Sequence, residues 1–153
     1  MKQLSFFSSK PAESIGKFNW VLYIDGASRG NPGLAGAGIC LLKNDSIVAK
    51  KSFFLGTKTN NQAEYMALIH GLTVFKEQEP NKRDHLTIYS DSELLVRQVK
   101  GFYKIKNLDL KQLYDTAMKF LYDIDYKIEH IRREKNCVAD DLANKAIDKR
   151  NSK

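Results

Sequence analysis

Two aspartates close apolar runs in this chain: Asp25 follows Val21-Leu22-Tyr23-Ile24, and Asp91 follows Leu86-Thr87-Ile88-Tyr89-Ser90. Runs of β-branched and aromatic residues of that length read as buried strands. The cluster Gly26-Ala27-Ser28-Arg29-Gly30-Asn31-Pro32-Gly33 reads as the turn that stops the first of them. Each carboxylate is then pinned at a strand end and faces an opening. There it either starts a turn through side-chain to backbone hydrogen bonds or holds a cation. Two further acids bear on that choice. Glu64 lies beside Ala63, Ala67 and Leu68, and Asp140 lies between Val138-Ala139 and Leu142-Ala143, each near the start of a helical pattern. A charge beside an apolar helix face is costly unless a cation compensates it. Four gathered acids would repel one another and raise their proton affinities, and a hard divalent cation reverses that. Oxygen-only ligands suit Mg²⁺ or Mn²⁺ rather than zinc. A pair of such ions is suited to in-line phosphoryl displacement.

The elements that must position these acids follow from the hydrophobic spacing. Residues 18–25, 35–42 and 47–55 read as three strands in quick succession, hence an antiparallel meander, with a hairpin turn at 43–46. Residues 57–62 offer N-cap side chains to a helix whose apolar face, Ala63, Met66, Ala67, Ile69, Leu72, Val74 and Phe75, runs until Glu79-Pro80. A fourth strand over 85–90 precedes a short helix over 92–100 that buries Leu94, Leu95 and Val99. A helix over 110–122, a fifth strand over 124–131 and a last helix over 136–147 complete the pattern. The expected class is α/β, a mixed five-stranded sheet with helices on both faces. If the first and fourth strands are parallel neighbours, Asp25 and Asp91 emerge at one edge, where such sheets build sites.

With 153 residues the chain fits one domain, and 25 Lys+Arg against 18 Asp+Glu give a net charge of +7 that suits a polyanionic partner. No apolar run approaches the ~20 residues of a membrane span, and residues 1–10 lack a signal peptide's apolar centre. A cytoplasmic monomer is expected. Cys40 and Cys137 fall in unrelated segments, which argues against a disulfide framework or zinc site and for buried free thiols. Residues 1–17 read as a tail, 18–149 as the domain and 150–153 as a short C-terminal tail. Within the first tail, Gln3-Leu4-Ser5-Phe6-Phe7 resembles the peptides by which bacterial replication and repair proteins dock on the sliding clamp. The alternative is that Leu4, Phe6 and Phe7 fold back on the domain.

Four segments in order carry a wider resemblance. They are Asp25-Gly26-Ala27-Ser28-Arg29-Gly30-Asn31-Pro32-Gly33, Thr59-Asn60-Asn61-Gln62-Ala63-Glu64-Tyr65-Met66-Ala67-Leu68, Thr87-Ile88-Tyr89-Ser90-Asp91-Ser92 and Ala139-Asp140-Asp141-Leu142-Ala143. Together they resemble type 1 ribonuclease H, which cuts the RNA strand of RNA–DNA hybrids, over nearly the whole chain from Phe18 to about Lys149. The resemblance implies a sheet in the order 3-2-1-4-5 and the acidic quartet Asp25, Glu64, Asp91 and Asp140 around two Mg²⁺ ions. Asp25 would bridge both, Glu64 and Asp91 hold one, and Asp140 hold the other. Asp141, the rival for the last place, becomes a solvated helix charge. The resemblance further implies that Asn31, Asn60 and Asn61 read the hybrid's minor groove. It makes Thr59 a candidate for a DNA phosphate.

The chain departs from that family pattern in two places. Lys100-Gly101-Phe102-Tyr103-Lys104-Ile105-Lys106-Asn107-Leu108 passes almost directly to the next helix, so the basic helical protrusion of many members is absent. Phe102 either stacks on the DNA sugar amid these lysines or packs, with Tyr103, beneath them. Hybrid binding without the protrusion should be weaker and steeply salt-dependent. The loop before Asp140 is also short. The product-release histidine is represented there only by His130, which reads as a strand end, or by Glu134.

Overall fold

Residues 17–151 are described by the structure, a computed structural model, so the Gln3–Phe7 peptide lies outside the described residues. Five strands, β1 Asn19–Gly30, β2 Gly33–Lys43, β3 Ser46–Lys58, β4 His85–Ser90 and β5 Asp125–His130, form one sheet in the order β3-β2-β1-β4-β5. The first three are antiparallel, whereas β1–β4 and β4–β5 are parallel. Four helices follow the meander: α1 Asn60–Glu77, α2 Glu93–Val99, α3 Leu108–Leu121 and α4 Cys137–Asn151, with a 3₁₀ turn at Arg133–Lys135. The class and strand order are those expected. No helix among the described residues is long and apolar enough to cross a membrane.

The largest departure concerns β1. It does not stop at Asp25 but runs on to Gly30, because β2 pairs with it without a break from Asp25↔Gly38 to Gly30↔Gly33. The residues expected to form the turn are small, and extended pairing is open to them. Only Asn31 and Pro32 are left to turn the chain. What does end near Asp25 is the other edge, since β4 stops at Ser90, the register partner of Ile24. Asp25 is therefore the first β1 residue without a β4 neighbour. Smaller corrections concern Leu94, which is only half-buried, and Cys137, which is exposed while Cys40 is buried. Cys137 sits on the outer side of the first turn of α4, where spacing alone does not place a residue.

The two faces of the sheet are covered differently. Leu22, Ile24, Ile39 and Leu41 are fully buried with Ala67, Leu68 and Leu72 of α1, and Leu22 packs into the space left by Gly71. On the opposite face α4 lies backbone to backbone on β2. A Cβ at Gly38 would collide with the Ala139 carbonyl, and one at Gly36 with that of Ala143. These two glycines form a furrow that seats the last helix.

One buried acid was not foreseen. Asp84 is 3% exposed and accepts hydrogen bonds from Trp20 Nε1 at 2.9 Å, Phe18 N at 3.0 Å and Asn81 N at 3.0 Å. Trp20 in turn packs edge-on against Phe75, centroids 5.2 Å apart. Asp84→Ala leaves buried donors unpaired and is expected to cost about 1–3 kcal/mol, read as a lower urea midpoint with unchanged slope. An unmoved midpoint would refute that role.

Candidate active site

Three acids meet where β1 and β4 part. One carboxylate oxygen from each of Asp25, Glu64 and Asp91 lies within 4.8 Å of the other two. Each is placed by a separate local device. Asp25 is held by β1 and is 5% exposed. Glu64 stands in the second turn of α1, whose start is set by a capping box. Thr59 Oγ1 accepts from Gln62 N, and Gln62 Oε1 accepts from Thr59 N. The Gly26 N–H then donates to Glu64 Oε1 at 3.0 Å. Gly26 has no substitute here, because a Cβ would overlap the Ala63 carbonyl of α1. Asp91 is bracketed by two hydroxyls: Ser90 Oγ accepts from Ser92 N, and Ser92 Oγ accepts from Leu95 N to cap α2.

Asp140 joins this group from α4 but stands apart from the tight triad. Asp140 lies close enough to Asp25 to add to the rise in its proton affinity. Asp140 also accepts from Asn144 Nδ2 at 3.3 Å and faces Arg133 Nη2 at 3.7 Å. Asp141 is exposed, as expected.

The electrostatics are those of unneutralised acids. Burial holds the Asp25 carboxyl far above the usual carboxylate range, and the charges of Glu64 and Asp91 raise it further. Burial likewise pushes Glu64 up to about 8, against the lowering effect of the Gly26 N–H; Asp91 adds to the rise and Arg133 opposes it. A cleft of about 420 Å³ opens over these acids, lined also by Ala27, Ser28, Asn60 and Arg133. An all-oxygen donor set that binds protons so tightly fits a hard divalent cation such as Mg²⁺ or Mn²⁺.

The residues expected to read a nucleic acid fall into two groups. Asn31 Oδ1 accepts from Asn60 N at 3.0 Å, which ties the β1–β2 turn to the start of α1. Asn31, Asn60 and Asn61 are all exposed and Asn60 lines the cleft, whereas Thr59 is half-buried and its oxygen is engaged in the cap. Phe102 and Tyr103 are 67% and 49% exposed, so they do not pack beneath the lysines of their loop. His130 ends β5 and Glu134 lies exposed in the 3₁₀ turn. Arg133 is the site residue that spacing did not reveal. The only trace in the sequence is the Arg132-Arg133 pair close before Asp140.

Comparison with known proteins agrees with this geometry. Residues 23–146 match a family model described as "Reverse transcriptase-like". The ribonuclease HI of Halobacterium salinarum is 40% identical over 128 residues, 82% of this chain, and the chain spans 63% of that protein's length. The crystal structure of RNase H1 from that archaeon superposes with a TM-score of 0.81 at 38% identity, covering 86% of this chain and 98% of the solved one. LC11-RNase H1, solved in complex with an RNA/DNA hybrid, gives 0.81 at 36% identity, covering 85% and 97%. In motif order, strand order and overall superposition, the chain belongs to the type 1 ribonuclease H family.

Proposed function

We propose that the chain is an endoribonuclease that hydrolyses the RNA strand of RNA–DNA hybrids with Mg²⁺, Mn²⁺ serving as a substitute. The observation that carries this reading is the convergence of Asp25, Glu64 and Asp91 within 4.8 Å, in a cleft that also opens toward Asn60. Asp25 would be shared by two ions, Glu64 and Asp91 would hold one, and Asp140, beside Asp25, the other. The bound cations supply the Lewis acidity for in-line hydrolysis, with 5′-phosphate and 3′-hydroxyl products. The protein's own contribution is orientation. Gly26 N–H fixes Glu64, the Ser90 and Ser92 hydroxyls fix the backbone on either side of Asp91, and Asn136 and Asn144 fix the turn that carries Asp140.

Substrate choice rests on the amides. An amide both donates to and accepts from a hydroxyl, so Asn31, Asn60 and Asn61 suit the 2′-hydroxyls displayed in a wide minor groove. No base edge needs to be read, which makes the activity sequence-independent. Thr59 and Phe102, with Lys100, Lys104 and Lys106, would meet the DNA strand.

The test is cleavage of end-labelled RNA–DNA hybrid in Mg²⁺ beside RNA–RNA and DNA–DNA duplexes of the same sequence. Cutting of the RNA strand of the hybrid alone is expected. Hybrid binding without cutting in either metal would make the chain a binding module instead.

A further inference from the structure

The side chain of Asn136 has a place in this fold that neither the motifs nor the proposed chemistry accounts for. The residue is 1% exposed, deeper than any of the four acids. Its Nδ2 donates to the backbone carbonyl of Ile24 at 2.8 Å, across 112 residues of chain. Ile24 is the last β1 residue with a β4 partner, and the next residue is Asp25. The main-chain carbonyl of Asn136 accepts from Asp140 N at 3.0 Å, the bond that opens α4. One residue thus grips the peptide before Asp25 with its side chain and the backbone of Asp140 with its main chain.

The bond is made at a cost. Asn136 Oδ1 is buried and has no hydrogen-bond partner among the described residues, and buried polar atoms are normally satisfied.

We propose that Asn136 is a positioning residue: it sets the register between the strand that presents Asp25 and the helix that presents Asp140, and so the geometry in which the acids meet divalent metal. The inference rests on the reading of the acids as a metal site. It predicts a defect in metal response and turnover, with hybrid affinity left intact, because Asn136 is buried and touches no substrate.

The experiment uses the full chain with Asn136→Asp and Asn136→Ala. Asn136→Asp keeps the size and the helix-opening backbone but turns a carboxylate oxygen, in place of a donor, toward the Ile24 carbonyl. Three quantities are measured for each: the Mg²⁺ concentration at half-maximal rise in Tm, and kcat and KM on RNA–DNA hybrid. Both variants are expected to need about 10-fold more Mg²⁺ or beyond, and to lose kcat by a similar factor. KM should stay within about twofold. An unmoved Mg²⁺ midpoint overturns the proposal, whatever happens to activity. Variants that are unfolded with or without Mg²⁺ also overturn it, in favour of a structural role. If the natural protein fails to cut the hybrid, the proposed function falls, while the Mg²⁺ midpoints still decide the role of Asn136.

Discussion

Asp91→Asn is expected to lower hybrid cleavage in Mg²⁺ on the order of 10³-fold, with little change in KM. The substitution is nearly isosteric, so β4 and the cap of α2, both held by the flanking Ser90 and Ser92, have no reason to move. What changes is charge. Asp91 is one of three carboxylates whose oxygens lie within 4.8 Å of each other. Removing it takes a full negative charge from the group that would neutralise the cations. A metal that no longer sits in place cannot stabilise charge on the reacting phosphate, and that stabilisation is the larger part of such catalysis. On the proposed reading, binding of the hybrid would depend instead on Asn31, Asn60 and Asn61 and on the lysines flanking Phe102. Steady-state kinetics with circular dichroism on the same samples decide the matter. Residual activity above a tenth of the natural rate, in a folded variant, would remove Asp91 from the metal site.

The second expected result concerns stability without metal. Asp25→Asn should make the metal-free protein more stable by about 1–3 kcal/mol at pH 8, or roughly 2–4 °C in Tm for each kcal/mol in a chain of this size. Asp25 is buried, and its proton affinity is raised by burial and by Glu64 and Asp91. A carboxyl whose folded pKa lies above its unfolded value binds more protons in the native state. Its contribution to stability is therefore full below the unfolded value near 4 and is lost as pH rises toward the folded one. Glu64, pushed up to about 8, adds a loss of the same sign. The stability gap between Asp25→Asn and the natural protein should accordingly widen between pH 5 and pH 9. Mg²⁺ acts in the opposite direction. It should raise the Tm of the natural protein, more at pH 8 than at pH 5.5, and leave Asp25→Asn nearly unmoved. Scanning calorimetry across this pH range, with and without Mg²⁺, measures all of these. A destabilised Asp25→Asn variant, or a natural protein indifferent to Mg²⁺, would contradict the account.

The acids were legible in the sequence because each follows or flanks an apolar run, and the strand bearing Asp91 ends within one residue of it. Why Asp25 is special was read less well. Its strand continues for five residues, and only the pairing with β4 ends there, a fact about a neighbour that lies more than 60 residues away. Local signals located the start of α1 because Thr59 and Gln62 cap it from within four residues. They were silent on Arg133, Asn136 and Asp84. Those side chains matter through partners remote in sequence: Glu64 for Arg133, Ile24 for Asn136 and Trp20 for Asp84. The exposure of Phe102 and Tyr103 was likewise undecided by composition, since a lysine-rich loop can cover aromatic rings or display them.

The furrow of Gly36 and Gly38 has a consequence for how the protein comes into being. The meander leaves a ribosome long before α4 does, and until Ala139 and Ala143 settle on those glycines β2 presents a bare strip of backbone to water. The fourth acid has no fixed place until that moment. Synthesis and competence are thereby separated in time: a nascent chain already carrying Asp25, Glu64 and Asp91 remains unfinished as a catalyst until its final helix is released and closes over the sheet.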